Sequence, residues 1–222
     1  MEYKYKLVIF DLDGTLADTS QGIYNAHRHT ANKMGIVLDE NALNGVIGGE
    51  LLQIYKERFY LADHEARRAV EIYRLWYQKN GIFQAEIYPG IVELLLDLKS
   101  KGIKLAVATL KREDFAKKML EDMGVAKMFD HILGMDIEDT LNKEKLLRKC
   151  VELSNVKADE TVLVGDSIYD AKGAGACEMN FIGVTYGFGF SDKKNINSVE
   201  SIFVADTPKE VSDFLGSLNQ SV

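Results

Sequence analysis

Four short, unbroken apolar runs constrain this chain most: residues 7–10 (Leu-Val-Ile-Phe), 105–108 (Leu-Ala-Val-Ala), 162–164 (Val-Leu-Val) and 181–184 (Phe-Ile-Gly-Val). A strand with one wet face alternates apolar and polar residues, so runs without alternation must be covered on both faces. The covers lie between the runs. Residues 91–101 repeat Leu and Val on one face and stop at Gly102, 113–123 stop at Gly124, and 143–153 follow the same helical period. A last helix is announced by Thr207-Pro208-Lys209-Glu210, with a capping Thr, Pro at the first helical position and Glu placed for a capping box. Such alternation predicts an α/β core, a parallel sheet flanked by helices. With 222 residues, 46% of them hydrophobic, the chain has the apolar content for one.

Residues 18–84 break the rhythm. They read as helices throughout (21–34, 51–60 and 64–79) with no strand, which predicts an all-helical subdomain inserted into a core made of residues 1–17 and 85–222. Pro89 stands where the chain re-enters that core. Tyr55, Phe59, Tyr60, Tyr73, Trp76 and Tyr77 have the spacing of the insert's own core, with a pocket lining as the alternative. His27 and His29 read as one buried and one exposed histidine, neither catalytic.

The net charge of −7 excludes an overall basic field for nucleic acid or an acidic membrane surface. No run approaches a membrane span, and Asp11 cuts the first run too early for a secretory segment. Cys150 and Cys177 lack metal-ligand spacing and read as buried free thiols, which suits a reducing cytoplasm. A monomer or homodimer is expected.

Three of the runs are followed at once by a polar signature: Phe10 by Asp11-Leu12-Asp13-Gly14-Thr15, Ala108 by Thr109, and Val164 by Gly165-Asp166-Ser167-Ile168-Tyr169-Asp170. Ligands of an open parallel sheet bind in the crevice at the carboxyl ends of its strands, so the signatures should converge. Asp11, Asp13, Asp166 and Asp170 would then share a pocket, each like-charge pair costing roughly 4 kcal/mol at ~4 Å for an effective dielectric of about 20. Such a cluster demands a cation. A few hard oxygen ligands, leaving space for water and a phosphate oxygen, suit Mg²⁺.

On these motifs, in order and over nearly the whole chain, the sequence resembles the haloacid dehalogenase superfamily, in its phosphatase branch with a helical cap inserted after the first motif. The four fixed residues of the first motif alone should arise by chance in roughly one such chain in a thousand. The resemblance implies a Rossmann-like parallel sheet and a cytoplasmic, Mg²⁺-dependent phosphatase of small phosphorylated metabolites. It implies Asp11 as the nucleophile forming an aspartyl phosphate. Asp13 would be the acid and base, and its backbone carbonyl a metal ligand. Leu12, Gly14, Thr109 and Leu110 would hold the phosphoryl group, Asp166 would ligate Mg²⁺, and Asp170 would ligate it or orient a ligand.

Lys143, at the start of the helix over 143–153, matches the family's lysine, with Lys145 as its rival. Lys111 reads as a solvated lysine at a helix start, with contact to a leaving group as the alternative. Gly48-Gly49-Glu50 falls where related caps present a substrate-selecting loop, Gly49 included; a plain turn is an equally good reading. Glu178 stands where the family often has Gly. The chain resembles phosphoglycolate phosphatases, and nearly as well the pyrophosphatases and 5′-nucleotidases of the branch. A sugar phosphomutase is disfavoured, because Ile23 replaces the His that such enzymes carry five residues after the position of Asp18.

Overall fold

Val8 and Phe10 of the first apolar run face one core and Leu7 and Ile9 face another, so the run alternates between two apolar layers rather than between core and water. In the computed structural model, which describes residues 2–190, 196 and 198–220 (backbone only at 2, 219 and 220), this run is the centre of a six-stranded parallel sheet. The strands are β1 (Leu7–Phe10), β2 (Lys104–Arg112), β3 (His131–Met135), β4 (Thr161–Gly165), β5 (Asn180–Val184) and β6 (Phe203–Ala205). Their order is β3-β2-β1-β4-β5-β6, which reverses direction beside β1 and opens the crevice there.

Three helices flank the first face: α4 (Ile91–Ser100), α5 (Glu113–Asp122) and α8 (Pro208–Ser217). The second face carries α6 (Lys143–Ser154) and α7 (Ile168–Ala176), where Leu146, Leu147, Cys150 and Ala174 pack on Ile9, Ala108 and Leu163. Both cysteines are buried and unpaired, as the sequence indicates.

The sequence reading misses β3 and β6. Both are edge strands, and their partly exposed residues dilute the apolar signal. Downstream of α7, Glu178 holds φ +54°, the left-handed conformation that glycine adopts without strain. Glu178→Gly is therefore expected to stabilise the protein by about 0.5–1 kcal/mol, read as a higher urea midpoint at constant slope.

The chain leaves the sheet through Ala17–Asp18 and returns through Glu86–Ile87, two-residue strands paired antiparallel. Between them run α1 (Ser20–Met34), α2 (Leu51–Glu57) and α3 (Asp63–Lys79), joined in part by 3₁₀ turns. α2 ends three residues short of the expected 51–60, and Tyr60 lies outside it at φ +54°, 88% exposed, so it belongs to no core. Tyr55, Tyr73 and Tyr77 are buried in a third apolar cluster, which Phe115 and Met119 of α5 complete. His27 is fully buried, whereas His29 is only partly exposed and stacks on Trp76. Among the described residues no helix is long and apolar enough to cross a membrane.

Candidate active site

Asp11 follows the last residue of β1, and its N–H donates to the Val164 carbonyl at 3.0 Å, which fixes it at the crevice between β1 and β4. The chain then turns tightly: the Leu12 carbonyl accepts from the N–H groups of Leu16 and Ala17 at 3.0 and 3.1 Å. Gly14 makes the turn possible. It holds φ +82°, and a Cβ there would lie 2.2 Å from Oδ2 of Asp166.

α6 delivers Lys143 from its first turn, where Asn142 caps the helix by accepting from the Lys145 N–H. Lys143 Nζ lies 2.8 Å from Oδ1 of Asp11, 2.7 Å from Oδ1 of Asp170 and 2.7 Å from the Ala108 carbonyl oxygen. Lys145 is exposed and donates to the Thr140 carbonyl, so of the two rivals the structure brings only Lys143 to Asp11. Asp170 is the third residue of α7, and its Oδ2 accepts from Ser167 N–H and Oγ in a capping box. Asp166 Oδ2 accepts from the N–H groups of Phe188 and Gly189 at 2.7 and 3.0 Å. No motif of the sequence points to this Gly187–Gly189 loop. Its signal was the glycine alternation: a Cβ at Gly187 would lie 2.5 Å from Asp166 Oδ2, and one at Gly189 2.5 Å from the Asp166 carbonyl oxygen.

Asp11, Asp166 and Asp170 each present an oxygen within 4.8 Å of the others. Burial pushes Asp11 up to about 7, with the Lys143 ammonium offsetting part of the effect. Burial, with repulsion from Asp170 and Asp11, pushes Asp166 up to about 8. Burial works against the Lys143 ammonium, but Asp11 and Asp170 outweigh it and hold its pKa above the ordinary lysine value.

The Asp13 carboxylate stands apart from this cluster. Its Oδ1 is 3.1 Å from Lys111 Nζ, and Lys111 donates to the Tyr77 phenol oxygen at 2.9 Å. The reading of Lys111 as a solvated lysine is corrected: its side chain is 7% exposed. β2 continues to Arg112, and the register shift between Ala108 and Arg112 re-aims this segment into the crevice. Thr109 is buried, and its Oγ1 accepts from the Lys111 N–H.

One cavity is lined by Asp11, Asp13, Thr109, Leu110, Lys143 and Asp170 on the sheet side and by Gly49, His27, Tyr73 and Tyr77 on the helical side. The aromatic residues thus serve both as core and as lining. Arg74 of α3 and Asp139, in the segment after β3, also line the cavity and pair with each other, 2.6 Å apart. Leu12 does not reach the cavity with its side chain, which is fully buried in the first core; only its backbone is available to a ligand.

Compared with known proteins, residues 8–184 match the family profile described as haloacid dehalogenase-like hydrolase. A Pseudomonas aeruginosa protein named 5′-nucleotidase is 32% identical, covering 86% of this chain and 87% of that one. The tyrosine-protein kinase PtkA of Mycobacterium tuberculosis is 32% identical over 95% of this chain and 72% of its own length. A phosphoglycolate phosphatase of Vibrio parahaemolyticus is 31% identical over 93% and 94%. The crystal structure of a predicted phosphatase from Clostridium acetobutylicum superposes with a TM-score of 0.90 at 34% identity, covering 96% of this chain and 99% of that one.

Proposed function

The chain belongs to the haloacid dehalogenase-like hydrolase family and is a phosphatase of it, and on that premise we propose that it hydrolyses small, phosphoglycolate-like monoesters through an aspartyl phosphate at Asp11, with Mg²⁺ bound. One observation carries this reading. Among the described residues, the buried carboxylates Asp11, Asp166 and Asp170 cluster beside one ammonium group, that of Lys143, so two negative charges remain for one divalent cation to cancel. The donors are hard oxygens, which suit Mg²⁺, and Asp11, Asp166 and Asp170 would hold it. Bound there, the ion would make the pocket acceptable to a phosphate dianion.

In the first half-reaction an Asp11 oxygen bonds to phosphorus while the bond to the ester oxygen breaks, and Asp13 gives that oxygen its proton. In the second, Asp13 takes a proton from water as the water attacks phosphorus, which frees Asp11. Lys143 holds Oδ1 of Asp11 in place and offsets charge gathering at the phosphoryl group. Helix α3 over the cavity favours small substrates.

Purified protein with Mg²⁺ should release phosphate from phosphoglycolate and lose this activity in EDTA. No release from any ester sinks the reading; transfer to a second substrate hydroxyl would make the protein a mutase. The Pseudomonas relative supports a second reading, and preference for a nucleoside 5′-monophosphate in the same panel would select it.

The charge cluster also sets a pH dependence. With Asp11 at about 7 and Asp166 at about 8, against an ordinary 3.8, the native metal-free protein keeps protons that the unfolded chain has released. Its stability should therefore fall as pH rises from about 4 to about 8. Mg²⁺ competes with those protons, so its stabilisation in thermal melts should be larger at about pH 8 than at about pH 5.5. A shift equal at both pH values counts against the assigned ligands.

A further inference from the structure

Lys111 is held on every side. Its ammonium lies 3.1 Å from Oδ1 of Asp13, donates to the Tyr77 phenol oxygen at 2.9 Å and sits 4.6 Å from the centre of the Tyr77 ring. Tyr77 is 1% exposed and donates its own proton to Met119 Sδ at 3.7 Å, so a lone pair of its oxygen faces Lys111. Among the described residues, Asp13 Oδ1 has no hydrogen-bond partner apart from this ion pair. A cation so fully engaged is not one left waiting for a phosphate.

Tyr77 also belongs to a different part of the chain from the residues it serves. It stands near the carboxyl end of α3, in the helical insert, whereas Asp13 and Lys111 stand on the loops after β1 and at the end of β2. From this arrangement we propose that Lys111 is a positioning residue: seated by Tyr77, it fixes the carboxylate of Asp13, so that proton transfer to the leaving oxygen depends on α3 being docked over the crevice. The proposal rests on the role given to Asp13 above. When Asp13 passes its proton to the ester oxygen as the P–O bond breaks, the carboxylate left behind faces the Lys111 ammonium, and no other reactant is needed.

Leaving-group dependence tests this. An alkyl phosphate such as phosphoglycolate needs a proton on its departing oxygen, whereas p-nitrophenyl phosphate releases a stabilised phenolate. kcat/KM reports the first half-reaction alone and should be measured on both esters for wild type, Asp13→Asn, Tyr77→Phe and Lys111→Met. Tyr77→Phe should lose roughly tenfold on the alkyl ester and Lys111→Met roughly a hundredfold, with losses under about threefold on the aryl ester, following the size of general-acid effects. The double variant should lose no more than Lys111→Met, since both act through one contact.

Equal losses on the two esters would assign Tyr77 and Lys111 to binding or folding and overturn the proposal. Tyr77→Phe removes one oxygen from a ring that stays packed, so it keeps the test decisive should Lys111→Met fold poorly. If Asp13→Asn itself shows no dependence on the leaving group, the acid role is wrong and the proposal falls with it. If Asp13→Asn shows the dependence and the other variants do not, the proposal alone fails.

Discussion

Asp11→Asn is expected to abolish turnover and, in the metal-free protein, to raise stability. The substitution keeps the shape and an oxygen that can accept from Lys143, but an amide cannot serve as a nucleophile at phosphorus. Losing the residue that forms the covalent intermediate should cost about 10⁴-fold or more in kcat. The gain in stability follows from the same charges. Asp11 is 4% exposed, within 4.8 Å of oxygens on Asp166 and Asp170, and burial dominates its raised pKa. Replacing it with a neutral group relieves repulsion, and Lys143 keeps its contact with Asp170. A gain of at most about 4 kcal/mol at neutral pH is expected, since Asp11 is raised from 3.8 to about 7 and each unit corresponds to about 1.4 kcal/mol. Denaturant unfolding in EDTA would measure it. An active Asp11→Asn enzyme would refute the nucleophile; an inactive but destabilised one would refute the electrostatic account of the site.

Lys143→Met should fail in the opposite way, losing both activity and stability. Its ammonium is the cation shared by Asp11 and Asp170, and both carboxylates are buried. Breaking a buried ion pair from one side strands the partner charge, typically at a cost of about 3–5 kcal/mol. Protonation of Asp11 near neutral pH softens this, so the destabilisation should grow as pH rises. Phosphate release should fall about 10²–10³-fold, the size of effect seen when one stabiliser of transition-state charge is removed. Lys145→Met is the matched control: its side chain is exposed and bonds a surface carbonyl, so stability should move by less than about 0.5 kcal/mol. Similar losses in both variants would sink the choice between the two lysines.

The site was partly legible because buried strands announce themselves and their ends carry the chemistry. The run at 7–10 matches β1 residue for residue, and the motif after it sits at the crevice. β3 and β6 were illegible, since an edge strand with partly exposed residues has no unbroken apolar run. The motif places Leu12 at the phosphate, and only the fold shows that its backbone alone is available there, because its side chain fills the first core. The resemblance leaves Asp170 as a metal ligand or an orienter, and only the fold shows that its Oδ1 meets Lys143 and its Oδ2 Ser167 while an oxygen stays within 4.8 Å of those of Asp11 and Asp166.

The sequence by itself determined the alternation of strand and helix, the order of the motifs, and the residue types available for acid, base, nucleophile and cation duty. These are local properties, set by apolar periodicity and by what each side chain can accept or donate. Only the tertiary structure decided which lysine meets which aspartate. Lys143 reaches Asp11 across 132 residues of chain and Tyr77 reaches Lys111 across 34, and such distances are fixed by sheet order, a register shift in β2 and the seating of α3. An ion pair matters only where water is excluded, and exclusion of water belongs to the packed molecule, not to any segment of it.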